Sequence, residues 1–330
     1  MKVESSGQIP AQEETRLIPD LDQVVIVEKP ELKAILWDCD NTLLNTETPA
    51  LTVCHGVLKA AVKEWSGGLL PFEISPEEFV KGHQGGAYRD MLRQYLEVHD
   101  PFGVAVRGDE LDEFIDKWSD REQRAVMEAF SRDGVEPTTG TREFLRQHAQ
   151  LGLEPVVVSS SAAERLAVSV EAGGVAEYFD TSLIFSAQDA EFMKEGGRRK
   201  PAPDVYLHAL ESCNLKPTDV VAIEDSKSGV LSAMRAGIDV IYFVGADGIS
   251  PSKDEVKRML TTFEQTLRET RPSEESGPAG KVIGVTDDNS QLSTMVSSLR
   301  SGSPYSPWMC HSGSECARDI DLGGVSFSRG

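Results

Sequence analysis

Two kinds of apolar pattern alternate along this chain. Short, mostly apolar and β-prone runs recur at residues 32–37, 155–158, 182–185, 219–223 and 240–244. Such runs predict strands buried on both faces. Between them, helical spacing covers residues 141–150, 162–172, 204–213 and 229–236, with Gly152 and Gly237 placed as helix stops. Strand and helix alternate through short connections. That pattern predicts an α/β fold: a Rossmann-like parallel sheet covered by helices on both faces.

One stretch breaks the alternation. From residue 48 to about 130 no strand-like run occurs. Leu51, Val53, Val57, Leu58, Ala61 and Val62 fall on one helical face. Ser75 followed by Pro76, Glu77 and Glu78 reads as an N-cap with proline at the first helical position. Residues 111–130 again have helical spacing. A helical insert after the first strand is therefore expected. Beyond residue 244 the patterns predict an amphipathic helix over 253–269, a Pro/Ser/Glu/Gly-rich linker over 271–280, an edge strand over 281–285 and a last helix over 291–299. A short strand is also expected at 24–27. The expected organisation is an irregular leader over 1–30, a core over 31–46 and 133–300, a helical domain over 47–132, and a disordered Ser/Gly-rich tail over 301–330.

Composition narrows the partners. The 330 residues carry a formal net charge of -21. Phosphate backbones and anionic bilayers select for Lys/Arg surfaces, so neither nucleic acid nor a membrane is expected as partner. No apolar run is long enough to span a bilayer, and the first fifteen residues are polar, without a signal-like apolar core. The five cysteines are odd in number and scattered, which fits a reducing compartment. A cytoplasmic location is expected, with an organellar address left open. Cys310 and Cys316 flank His311, but their spacing matches no common zinc pattern.

Polar residues cluster where the strands end. Asp38-Cys39-Asp40-Asn41-Thr42 closes the first run. Two carboxylates one residue apart on extended chain point in different directions, which suits a nucleophile beside a separate acid/base. Ser159-Ser160-Ser161 closes the second run and precedes a helix, as a phosphate cradle or as an ordinary helix cap would. Lys200 is set by Pro201 and Pro203 before another helix. Glu224-Asp225-Ser226 closes the run at 219–223, where acids beyond a buried strand must pair, hold a cation or cap the next helix. Oxygen-only ligands suit Mg²⁺.

In this order and these contexts, the clusters resemble the four motifs of the haloacid dehalogenase superfamily, over roughly residues 32–245. The helical insert resembles that superfamily's C1-type cap. Leu43-Leu44-Asn45-Thr46-Glu47, Pro137-Thr138-Thr139-Gly140, Lys200-Pro201-Ala202-Pro203-Asp204 and Glu224-Asp225-Ser226-Lys227-Ser228-Gly229 are similar to its sugar-phosphatase and β-phosphoglucomutase-like (CbbY-like) branch. The resemblance implies a Mg²⁺-dependent phosphatase acting on a small phosphorylated metabolite such as a sugar phosphate. Asp38 is then the nucleophile, forming an aspartyl-phosphate, and Asp40 the general acid and base. Asp38, the backbone carbonyl of Asp40, Asp225 and Glu224 hold Mg²⁺. Ser159, with Ser160, and Lys200 hold phosphate oxygens, and Thr42 orients the first loop. Glu47 faces the cleft. Apart from the resemblance, the glycine-rich loop over 81–89 reads either as an ordinary helix–helix turn or as a specificity element, with His83, Lys81 and Arg89 as candidate contacts to the leaving group. A capped member of this kind is expected as a monomer.

Asn41 departs from the branch, which usually carries glycine there. The presence of Asp40 argues for phosphoryl transfer over carbon–halogen cleavage. Two other readings stay open on sequence alone. One is a phosphosugar mutase of the β-phosphoglucomutase type. Ala50 and Gly85 fall where a mutase carries a histidine and a basic residue, although His55 and Arg89 lie nearby. The other is a non-catalytic binding or scaffold protein.

Overall fold

The structure is a computed structural model describing residues 17–310, except 71, 84–85, 249 and 271–278. In chain order, β1 (Ala34–Trp37) is followed by five helices: α1 (Glu47–Ser66), α2 (Pro76–Gly82), α3 (Tyr88–His99), α4 (Pro101–Val106) and α5 (Gly108–Asp133). Alternation then begins with α6 (Thr141–His148), β2 (Glu154–Ser159), α7 (Ala163–Ala172), β3 (Ile184–Ser186), α8 (Ala190–Lys194) and α9 (Asp204–Ser212). It continues through β4 (Val220–Glu224), α10 (Lys227–Arg235), β5 (Asp239–Phe243), α11 (Lys253–Thr270), β6 (Val282–Thr286), α12 (Leu292–Ser301) and β7 (Trp308–Met309).

The seven strands form one sheet in the order β3-β2-β1-β4-β5-β6-β7, and every adjacent pair runs parallel. β1, β4 and β6 are buried at every position, because helices cover both faces. One apolar cluster joins Trp37, Ile223 and Phe144 to cap residues such as Leu58 and Phe130. The other packs Leu36, Ala222 and Tyr242 under α9, α10 and α11. Cap and sheet are therefore continuous on one side.

Helix ends follow local chemistry. Ser75 and Glu78 form a reciprocal capping box with Pro76 at the first position of α2. Gly67 takes φ +62° at the end of α1, where a side chain would be strained. On α1 the buried stripe is Ala50, Leu51, Cys54, Leu58, Ala61, Val62 and Trp65, while Val53 and Val57 lie at its margin. No described helix is long and apolar enough to cross a membrane.

Three expectations at the chain's ends need correction. Residues 281–285 do not form an edge strand: β6 is fully buried, with β7 paired outside it. The expected strand at 24–27 is a single antiparallel bridge from Val25 to Tyr305. The described part of the tail is ordered. Tyr305 is buried and donates through its hydroxyl to Ile283 O at 2.9 Å, and Cys310 is buried beyond β7. Average Ser/Gly content hid these few apolar anchors. His311 and Cys316 lie outside the described residues.

The described half of the leader is irregular in path but packed like core. Leu21 is 2 % exposed, and Lys29 makes a buried 3.0 Å ion pair with Asp239. Val282 N donates to Leu17 O at 2.9 Å, so this segment straps the β5–β7 side of the sheet. Leu21→Ala should cost about 2–4 kcal/mol of folding stability through the cavity it leaves. A urea unfolding midpoint unchanged from the parent would show that the strap is not part of the core.

Candidate active site

β1 lies between β2 and β4, where the chain reverses its growth across the sheet. Ligands of open parallel sheets gather beyond the strand ends at such a point. Asp38 directly follows β1, Ser159 ends β2, and Glu224 ends β4 with Asp225 next. The register Trp37↔Ile223, extended by Asp38 N donating to Ile223 O at 3.0 Å, sets Asp38 level with Glu224.

Lys200 is the centre of the cluster. Its side chain is only 3 % exposed, and its ammonium donates to Asp38 Oδ1 at 2.6 Å, Glu224 Oε1 at 2.6 Å and Val158 O at 2.8 Å. All three of its donors are used. The Tyr206 hydroxyl, from α9, donates to the same Glu224 oxygen at 2.5 Å. Burial disfavours the charge on Lys200, but Asp38 and Glu224 outweigh it and hold its pKa above the usual lysine value.

Negative charge is nevertheless in excess. Burial raises the Asp38 carboxyl; Lys200 opposes that, Glu224 and Asp40 add to it, and the net is a pKa of about 8. Asp225 is held well above the ordinary carboxylate range by burial first, then by Asp38 and Glu224. Glu224 Oε2 is buried with no hydrogen-bond partner. Carboxylate oxygens of Asp38, Glu224 and Asp225 lie within 4.8 Å of one another. One lysine does not neutralise three acids. The orphaned oxygen and the all-oxygen donor set fit a hard divalent cation.

Asp40 sits in a different setting. Thr46 Oγ1 donates to its Oδ1 at 2.5 Å, and Ser161 Oγ to its Oδ2 at 2.6 Å, with Ser159 Oγ at 3.4 Å. Asp38 thus faces an ammonium while Asp40 faces hydroxyls. Directly after Asp40 the chain turns at Asn41, whose φ of +60° explains why either asparagine or glycine serves there. Asn41 Nδ2 donates to Glu47 Oε2 at 2.7 Å, and Glu47 N donates back to Asn41 Oδ1 at 3.2 Å, which ties the loop to the start of the cap. Thr42 Oγ1 donates to Asp225 Oδ1 at 3.3 Å.

Asp38, Asp40, Thr42, Glu47, Ser159, Lys200, Glu224 and Asp225 therefore converge. Ser160 contributes its carbonyl oxygen, which accepts from Gln188 Nε2 at 2.6 Å. His83 stands apart in the cap: its ring stacks on Phe79 at 4.2 Å and its Nδ1 lies 2.8 Å from Phe79 O. Arg89 is paired with Asp116, and Lys81 is exposed. Thr46, Ser161 and Tyr206 were not singled out from sequence. Ser161 carried a faint signal, as the third serine of its run. Tyr206 carried none, since only the packing of α9 against the sheet at β2 and β3 brings it to Glu224.

A protein-family model described as haloacid dehalogenase-like hydrolase matches residues 32–237. The chain belongs to that family; it is an enzyme, a hydrolase of the phosphatase type. Among curated relatives, Hexitol phosphatase A of Escherichia coli is 26 % identical over 243 residues, covering 73 % of this chain and 96 % of that protein. The Phosphorylated carbohydrates phosphatase of Thermotoga maritima is 27 % identical over 234 residues, covering 69 % of this chain and 90 % of that one. A solved HAD family hydrolase from Deinococcus radiodurans shares the fold with a TM-score of 0.52 at 19 % identity, over 83 % of this chain and 98 % of its own.

One glycine makes the cluster fit. A Cβ at Gly229 would lie 1.7 Å from Glu224 Oε2, so α10 approaches the carboxylate only without a side chain. Gly229→Ala should displace Glu224 and destabilise the protein by roughly 1–3 kcal/mol. Denaturant titration checks this, and unchanged stability would mean the carboxylate has room to move.

Proposed function

We propose that this protein is a Mg²⁺-dependent phosphatase that hydrolyses a small sugar or polyol phosphate through an aspartyl-phosphate on Asp38. The reading is carried by the opposite settings of two neighbouring aspartates. Asp38 lies against Lys200, and Asp40 lies under the hydroxyls of Thr46 and Ser161. The substrate class is supported by the names of the relatives, a hexitol phosphatase and a phosphorylated carbohydrates phosphatase.

A carboxylate attacking a phosphate dianion meets like-charge repulsion, so positioning and charge compensation carry most of the catalysis. Lys200 is locked by three acceptors and offsets part of that charge without having to move. Asp38, Glu224, Asp225 and the Asp40 carbonyl would hold the metal. When bound, Mg²⁺ supplies the positive charge that keeps Asp38 ionised and polarises the phosphoryl oxygens. Asp38 attacks phosphorus, the bond to the leaving oxygen breaks, and Asp40 passes its proton to that oxygen. Asp40 then takes a proton from water as it attacks the phosphorus of the acyl phosphate, releasing phosphate and restoring Asp38. Hydroxyl partners suit this alternation, because a hydroxyl either donates to a carboxylate or accepts from a carboxylic acid.

The mutase reading gains no support from the residues nearest its expected positions. Ala50 is buried in the cap, His55 Nε2 is 2.8 Å from Ile74 O, and Arg89 is paired with Asp116. Gly85 lies outside the described residues.

Release of an aryl alcohol from its phosphate is expected with Mg²⁺ and not with EDTA. Asp38→Asn should abolish turnover, and its full activity would sink the mechanism. Asp40→Asn should lower kcat by about 10²–10⁴-fold while still binding inorganic phosphate. A panel of phosphorylated metabolites then sorts the leaving group, and conversion of glucose 1-phosphate to glucose 6-phosphate with a bisphosphate activator would favour the mutase.

A further inference from the structure

We propose that Asn289, in the turn between β6 and α12, is a positioning residue for the loop that carries Asp38, Asp40 and Thr42. It lies outside residues 32–237, the segment matched by the family model. Its consequence for turnover rests on the phosphatase reading; its consequence for loop order does not.

Asn289 is fully buried. Its Nδ2 lies 3.2 Å from Thr42 O, 3.0 Å from Thr138 Oγ1 and 2.9 Å from Thr141 Oγ1. Thr138 Oγ1 donates to the same Thr42 carbonyl at 2.6 Å. Two side chains, one from the return of the cap and one from the last βα turn, thus converge on one backbone oxygen of the catalytic loop. Thr42 in turn holds Asp225 through its hydroxyl. The turn is brought close by two further features. Asn289 N donates to Thr139 O at 2.8 Å, and a Cβ at Gly140 would meet Asp288 Oδ1 at 2.0 Å.

The other end of the amide shows what the residue is kept for. Asn289 Oδ1 is buried with no hydrogen-bond partner. Thr42 O can only accept, so the amide cannot be turned round to satisfy that oxygen. An orphaned buried carbonyl is destabilising, and an apolar residue of similar size would avoid it. A residue selected for stability alone has no reason to be asparagine here. One required to hold Thr42 from inside the fold does.

Asn289→Leu, near in size and without donor or orphan, separates the two roles. Backbone amides of residues 39–44 should exchange with deuterium at least about tenfold faster, while those of β4 and the melting temperature stay at the parent values or above. Against an aryl phosphate, kcat should fall about tenfold or more with KM within about twofold, as for an interaction made only in the transition state. Asn289→Val, which has no donor for Thr42, should do the same to loop exchange and kcat. Loop exchange unchanged in both variants overturns the proposal whatever the activity. A lower melting temperature with loop exchange and kcat unchanged reduces Asn289 to a packing residue and also overturns it. If the variants lose overall stability, Thr138→Val combined with Asn289→Leu decides: their effects on loop exchange must be non-additive, and additive effects refute a shared hold on Thr42. An inactive parent chain whose variants still loosen the loop would sink the phosphatase reading and leave the clamp standing.

Discussion

The site depends on one buried ammonium. Lys200 is enclosed by Asp38, Glu224 and the Val158 carbonyl, which leaves its charge no other outlet. A buried charge is tolerated only when paired and hydrogen-bonded. Here the partners outnumber it. The surplus of carboxylate over ammonium raises Asp38 and Asp225 and strands Glu224 Oε2. Stability alone does not account for such a surplus. The surplus and the all-oxygen donor set fit a hard divalent cation.

The sheet supplies the geometry for that arrangement. Parallel strands deliver their carboxyl ends to one edge, and the strand order reverses beside β1, the place where ligands of such sheets bind. Asp38, Ser159 and Glu224 arrive from adjacent strands, and Lys200 reaches in from the segment before α9. The cap is coupled to the same edge by short polar contacts. Asn41 meets Glu47, Asp40 meets Thr46, and Thr48 Oγ1 donates to Asp247 Oδ2 at 2.6 Å. The start of the cap is thus tied directly to Asp40 and Asn41.

Support also comes from segments far along the chain. The strap at residues 17–30 covers the β5–β7 side, and β7 shields β6 from becoming an edge. A protected β6 holds the turn at Asn289 against the loop that carries Asp38, Asp40 and Thr42. The distance from chain end to site is long in sequence and short in space.

Alternating strand and helix patterns determined the α/β class, the helical insert and the order of the chemical clusters, because period and strand-end polarity are local properties. Asp38, Asp40, Lys200 and Asp225 were legible for that reason, each standing at a recognisable strand or helix boundary. What the sequence could not carry was any relation across the sheet. Thr46 and Ser161 are ordinary hydroxyl residues until the fold turns both toward Asp40. Tyr206 and Asn289 acquire their partners only through helix–sheet packing, and the tail's order depends on Tyr305, Trp308 and Cys310 finding a face already built. His83 shows the converse: its place in a glycine-rich loop suggested a ligand contact, while packing turned its ring onto Phe79. Lys200 was read from sequence as one positive charge at a helix start; only the tertiary structure decided that it would be buried among more acids than it can neutralise.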